Sequence, residues 1–324
     1  MVGSLTHRVR LGSSRGGLHK TMIDLVVHLL LIVALPPLLP GVINRTKAVI
    51  AGRKGPPLLQ PYFDLWRLFH KATVLSTTTT WLFLCGPVVG IVTALLAAML
   101  VPLANTSAPF SFAGDFLLFA YLLALGRFML VLSALDTGSS FEGMGAARDV
   151  TFACFAEPTM FLCLLAQAQA AGSLQMVDMF AGPLVAVAGV GAPLLLVASA
   201  WFLLMLAENC RIPFDDPNTH LELTMLHEVV VLDHSGTLLA LVQLAASLKL
   251  FLYASLVVRL SVPINSGYAW FNWCVFVACV ISVAGLLGVV ESVMARLQLK
   301  LVPHVLAAAG VVAAFGLVLL QTMP

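Results

Sequence analysis

The chain has 324 residues, of which 60% are hydrophobic and 10% charged, with a mean hydropathy of +1.01 and a net charge of +2. A soluble domain carries about 25% charged residues, so this composition excludes a single water-soluble globule and makes a bilayer the natural solvent. The small net charge leaves no footprint for nucleic acid.

Residues 1–20 (MVGSLTHRVRLGSSRGGLHK) are basic, free of acids and rich in Gly and Ser. They read as a leader or extension, with 1–21 outside the fold and 22–324 forming one transmembrane domain. Eight later segments meet the requirement of about 20 mostly apolar residues for a spanning helix. They run over 22–43, 82–102, 114–135, 150–171, 184–207, 236–260, 271–290 and 302–322. Their length and continuous apolar character exclude barrel strands. The expected fold is an all-α polytopic membrane protein with eight transmembrane helices.

Lysine and arginine orient such a chain. Loops on one side contain Arg45, Lys47, Arg53, Lys54, Arg67, Lys71, Arg148, Arg211, Arg296 and Lys300, whereas the other side has basic residues in the leader alone. The basic side is expected to be cytoplasmic, with both termini on the outer face. Polar residues concentrate on that one side, which suits a docking platform better than a carrier needing access from both faces. A secondary transporter would show midplane polar groups and inverted repeats, and neither is evident.

An ionisable residue inside a span is costly and marks function by default. Arg127 lies mid-helix in LALGRFMLVL, Glu157 in FACFAEPTMF and Lys249 in ASLKLFLY. Proline at 158 lacks an N–H and disfavours α geometry before it. A helix beginning near Asp149 and kinked at Glu157 would put this carboxyl roughly 10 Å inside the membrane. A proton relay is the functional reading, and a structural carboxylate the bland one. Arg127 and Lys249 are candidate counter-charges for Glu157. Lysine gives up its proton more readily than arginine, so Lys249 is the expected carrier and Arg127 the fixed charge. Arg259 is expected to snorkel to a helix end, and Asp24 and Glu291 to face water.

The stretch from Glu208 to Gly236 holds Glu208, Asp215, Asp216, Glu222, Glu228 and Asp233, six of the chain's fifteen acids. His220, His227 and His234 recur there every seven residues, about 10.5 Å apart on a helix, too far to share a metal ion. Six cysteines (85, 154, 163, 210, 274 and 279) form no CxxC and read as small buried hydrophobes, so no metal or cluster is expected in this chain.

AGRKGPPLLQPYFDLWRLFHK (51–71) and AENCRIPFDDPNTHLEL (207–223) resemble the core membrane subunit shared by respiratory complex I and membrane-bound [NiFe] hydrogenases. The Gly-Ala-x-Arg at 145–148, the Glu-Pro at 157–158 and the order of eight helices fit as well. The likeness covers roughly 22–322. SALDTGSSFEGMGAARD (133–149) and Ser-Leu-Lys at 247–249 resemble the formate hydrogenlyase subunit 4 and hydrogenase-4 component C branch. The complex I branch usually carries Gly-Ser-x-Arg and Glu-Tyr-Ser-Gly where this chain has GAARD and Leu-Asp-His-Ser-Gly.

The resemblance implies a non-catalytic anchor in a bacterial or archaeal cell (inner) membrane. Its partners would be a [NiFe] hydrogenase-like large subunit, an iron–sulfur small subunit and antiporter-like membrane subunits, with the metal centres in those partners. Glu157, Lys249, Arg127, Asp136, Glu142, Arg148, Glu208, Arg211, Asp215, Glu222 and Glu228 would relay redox turnover to ion translocation. Arg53, Lys54, Gln60 and Asp64 would dock the peripheral subunits. The alternatives are a complex I subunit with a quinone site, a related complex lacking nickel, and a purely structural anchor.

Overall fold

In lipid, an apolar run must close its backbone hydrogen bonds internally, which makes it helical. In a computed structural model the chain is described over residues 16–104, 106–180, 191–215, 227–262 and 268–322, with side chains from residue 22 in the first stretch and from 228 in the fourth. Among these residues every regular element is a helix: α1 (Gly16–Ala34), α2 (Leu38–Ile50), α3 (Gln60–Phe69), α4 (Trp81–Leu100), α5 (Asp115–Asp136), α6 (Ser140–Ala171), α7 (Met176–Met179), α8 (Gly191–Glu208), α9 (His227–Val230), α10 (Gly236–Ser261), α11 (Ala269–Val293) and α12 (Val302–Thr322). Seven are long and apolar enough to cross a membrane, and the bent pair α1–α2 makes an eighth if counted as one span.

The boundaries differ from expectation where proline acts. The first span is broken by 50° between Ala34 and Leu38, where Pro36 and Pro37 remove two successive N–H donors. The fourth begins at Ser140, ten residues before the expected start, and runs through Pro158 to Ala171. Pro158 does not end the helix: losing one hydrogen bond costs less than exposing a whole broken turn to hydrocarbon. Residues 51–71, expected as a loop, contain α3, which carries Pro61 in its first turn and buries Leu65 while exposing Phe63 and Trp66.

α10 is the axis of the bundle, the most buried of the spans, packed against α2, α3, α4, α8 and α11. The polar connections gather at one end. There Val74 bonds to Ser235 and Thr80 to Asp136, and the Leu297 N–H reaches the Pro213 carbonyl. At the opposite end the Gly114 N–H bonds to the Leu174 carbonyl, and Asp115 accepts from the Met176 N–H at 2.8 Å.

Arg259 does not snorkel. It is 3% exposed, and its guanidinium donates to the carbonyls of Ala104 and Phe180. It ties two connections of that end to α10, so both terminal nitrogens of the guanidinium are met without reaching water, while Nε has no partner among the described residues. Glu291 is buried rather than facing water, and Asp24 accepts from the Trp273 indole at 3.3 Å.

A second proline shows how the bundle repairs its own defects. Pro87, inside α4, cannot donate to the carbonyl of Phe83 four residues back. Ser133 of α5 supplies the missing donor at 3.0 Å. Gly86 makes this approach available, since a Cβ there would lie 2.5 Å from that of Ser133. With its proton committed, the Ser133 hydroxyl accepts from Nε2–H of His234 at 3.1 Å, which fixes the tautomer. The imidazole stacks on Phe83 at 4.2 Å and is 4% exposed. Burial lowers its pKa from 6.5 to about 4.

Two outcomes follow from this arrangement. Ser133→Ala should cost about 1–3 kcal/mol by orphaning the Phe83 carbonyl. In a Pro87→Ala background, which restores a backbone N–H to that carbonyl, the penalty should fall by half or more; thermal unfolding in detergent checks both. For His234 the folded pKa lies below the unfolded one, so the unfolded chain binds the extra proton in acid. Stability should be flat above pH 6.5 and fall from there towards pH 4, by up to about 1.4 kcal/mol per pH unit. His234→Gln should flatten that slope in a series of melting curves against pH.

Candidate coupling site

Arg127 sits on α5 nine residues before its end, about 14 Å along the axis. It is the centre of a charge cluster drawn from four helices. Its guanidinium donates to Glu208 at the end of α8 and to Glu157 on α6 at 3.2 Å, with Asp149 on α6 at 3.8 Å from Nε. Lys249 on α10 lies 2.6 Å from the same Glu208 oxygen that Arg127 engages. Glu208 is therefore shared between two cations and is nearly inaccessible, with 5% of its side chain exposed. Glu157 is the most open member at 37%. Glu208, expected at the membrane surface, is drawn inside the bundle, because α8 stops at the depth of Arg127 and Lys249.

The cluster counts two cations, Arg127 and Lys249, against three carboxylates, Asp149, Glu157 and Glu208. The planar guanidinium suits its place, since five donors in a fixed fork can serve three acceptors at once. Beside the cluster lies a cavity of about 230 Å³. Arg127, Glu208 and Lys249 line it on one side, and Pro87, Gly90 and Ala94 of α4 on another. The charged end of this cavity has room and partners for water.

The chain after Glu208 continues the charge pattern. Arg211 lies 3.4 Å from Glu291 of α11, which also lies 2.8 Å from Lys47 of α2. Asp215 accepts from Arg296 at 3.0 Å. Arg211, Asp215 and Glu228 line the same cavity as Arg127. Between them lies the half-buried Cys210, whose thiol pKa is pushed up by desolvation and then by the nearby Asp215.

The expected site residues thus separate into groups. Arg127, Glu157, Glu208 and Lys249 come together, and Arg211, Asp215 and Glu228 border them. Asp136 does not join them: it accepts from the Thr80 N–H at 2.6 Å and the Thr80 hydroxyl at 2.7 Å, tying the ends of α4 and α5. Glu142 is fully buried and accepts from the Asp233 N–H at 2.9 Å, tying α6 to the turn before α10. Arg148 donates to Met144 within α6. Glu222, Asp216 and His220 lie outside the described residues. Arg53 and Lys54 are exposed, while Gln60 donates to Asp64 at 3.0 Å on α3.

Three participants were not singled out from the sequence. Asp149 precedes Glu157 by eight residues, close to two helical turns, a spacing that places both near one face. Glu291 and Lys47 sit near helix ends, where a hydropathy profile sees only solvent-facing charge. Among the described residues no three His, Cys, Asp or Glu side chains converge as metal ligands.

Residues 22–322 match the family model described as NADH dehydrogenase. Hydrogenase-4 component C of Escherichia coli (strain K12) is 34% identical over 283 residues, covering 85% of this chain and 88% of that protein. Formate hydrogenlyase subunit 4 of the same organism is 28% identical over 290 residues, covering 86% and 92%. An NADH-quinone oxidoreductase subunit of Anaplasma phagocytophilum (strain HZ) is 27% identical over 244 residues, covering 68% and 71%. The fold also matches a chain in the solved structure of the membrane-bound sulfane sulfur reductase, an archaeal respiratory membrane complex. That match has a TM-score of 0.74 at 20% identity and covers 91% of this chain and 99% of that one. By the family model and the relatives together, this multi-pass membrane chain belongs to the NADH dehydrogenase family.

Proposed function

We propose that this chain anchors a [NiFe] hydrogenase-type peripheral arm to a bacterial or archaeal cell membrane and couples its turnover to translocation of protons or sodium ions. The observation that carries the reading is Glu208, buried and shared between Arg127 and Lys249 inside the bundle. The same residue opens the polar segment 208–215 that leads to the basic end of the molecule. The branch follows the 34% identity to hydrogenase-4 component C.

In this reading the exposed Arg53 and Lys54, with α3, form the docking surface for a large subunit and an iron–sulfur small subunit, which hold the redox centres. Antiporter-like membrane subunits complete the complex. A charge change in the docked arm shifts the 208–215 segment and with it Glu208. At low effective dielectric, moving a unit charge a few ångströms changes a neighbour by several kcal/mol as an upper bound, while about 1.4 kcal/mol suffices for one pKa unit. The surplus carboxylate takes and releases the proton, with Glu157 as its most open position. Arg127 stays charged throughout, and Lys249, once Glu208 moves, passes the change onward.

The cavity favours a second reading, a quinone site of the complex I type, because an apolar wall faces a polar end. The two differ in what copurifies and what inhibits. The hydrogenase reading expects nickel in the complex pulled down with this chain and hydrogen-dependent dye reduction insensitive to quinone analogues. The quinone reading expects no nickel and sensitivity to those analogues.

Within the complex, Glu157→Gln should lower ions moved per electron transferred several-fold, while dye-linked electron transfer stays within about twofold of the parent. Inverted membrane vesicles with a pH-sensitive dye, or labelled sodium, give the ratio. A purely structural anchor leaves the ratio unchanged.

A further inference from the structure

We infer that Glu291, held by Lys47 and Arg211, is a positioning residue that sets the place of Glu208 and links it to α2. This rests on the coupling role proposed above. Arg127–Glu208–Lys249 and Lys47–Glu291–Arg211 are two triads of one plan, a buried carboxylate between two cations from different elements. Two residues separate Glu208 from Arg211, and the two charged residues are not free to move independently.

The turn between them is the reason. The Cys210 N–H bonds to the Ala207 carbonyl at 3.1 Å and the Arg211 N–H to the Leu206 carbonyl at 2.9 Å. These are the two bonds of a Schellman motif. Cys210 stands at its left-handed position with φ +48°, where glycine is usual. Glu208 is thus the last helical residue of α8, and Arg211 the residue just beyond the turn. A displacement of Arg211 by Glu291 is carried to Glu208 through a closed hydrogen-bonded turn rather than a slack loop.

The far side of the second triad is equally constrained. α11 approaches α2 so closely at Gly288 that a Cβ there would lie 2.7 Å from that of Thr46. Lys47 follows Thr46, and α2 leads directly to Arg53 and Lys54. Near the end of α2, Arg45 donates to the Gly55 carbonyl at 3.2 Å. A continuous set of contacts therefore runs from the exposed 51–57 segment through α2, Glu291 and Arg211 to Glu208. Nothing in the relay's chemistry requires Glu291 to exchange a proton; it holds Arg211, and Arg211 holds the turn.

The test uses the intact membrane complex carrying Glu291→Gln, Lys47→Gln or both. Each is assayed for dye-linked electron transfer and for ions moved per electron in inverted vesicles. The expected result is a ratio reduced at least threefold in each single variant, with electron transfer retained. Lys47→Arg, which keeps the charge, should restore the ratio to within about twofold of the parent. The double variant should be no worse than either single one, because the two residues act through one contact. A parental ratio in an assembled Glu291→Gln or Lys47→Gln complex overturns the proposal. So does a parallel fall in electron transfer and translocation, which marks a structural role. If both single variants fail to assemble, the double variant is read by the same criteria, and failure of all three makes the triad a structural staple and also overturns it. Glu157→Gln is the reference: if it too keeps the parental ratio, the coupling role itself falls. If it uncouples while the Glu291 and Lys47 variants do not, only this inference falls.

Discussion

The structure turns on one guanidinium. Arg127 meets carboxylates from α6 and α8 inside the bundle, and Lys249 of α10 shares one of them. Removing ions from water costs several kcal/mol each, and only close pairing with well-placed hydrogen bonds offsets it. Such a cluster adds little to stability compared with apolar packing of the same volume. Its retention inside a chain that is 60% hydrophobic points to use rather than to folding. It also explains why α8 ends where it does: Glu208 must stop at the level of Arg127, so the following polar residues are carried inside the bundle.

That placement gives the polar segment 208–215 its character. Its three charged residues are each locked to a different element: Glu208 to α5 and α10, Arg211 to α11, and Asp215 to Arg296 beyond α11. A segment tied this way has few intermediate positions. A two-state exchange of these pairs is what the proposed coupling role would require of the segment. The opposite end of the bundle is held differently, by Arg259 and Asp115 bonding to backbone groups. Among the described residues the charge networks lie towards the end that carries Arg53 and Lys54, and backbone ties close the other.

Much of this was legible in the sequence, and the limits have physical reasons. Hydropathy located the spans because bilayer thickness dictates helix length. Arg127, Glu157 and Lys249 stood out because a charge in hydrocarbon is too costly to be incidental. Proline was the misleading signal. Pro36 and Pro37 break the first span, whereas Pro158 leaves α6 intact, and only the surrounding packing decides between the two. The pairing of Lys249 with Glu208 rather than Glu157 depends on how far α8 penetrates, which no local pattern records. Asp136 and Glu142 carry the same charge as the carboxylates of the Arg127 cluster, yet they accept from backbone groups near helix ends. Conversely, Glu291 looks like a solvent-facing helix terminus until α2 and α11 are seen to meet over Gly288. The shared motifs of the NADH dehydrogenase family identified the family without assigning the work of the residues within them.

The central claim is that a carboxylate of the Arg127 cluster changes protonation when the peripheral arm turns over. Redox-triggered infrared difference spectroscopy on the purified complex reads this directly. The account predicts a carboxylic acid C=O band that appears or vanishes between the oxidised and reduced states, and that is lost on replacing Glu157 or Glu208 by glutamine. A difference spectrum with no carboxylic acid band, or with one that survives both replacements, would contradict it.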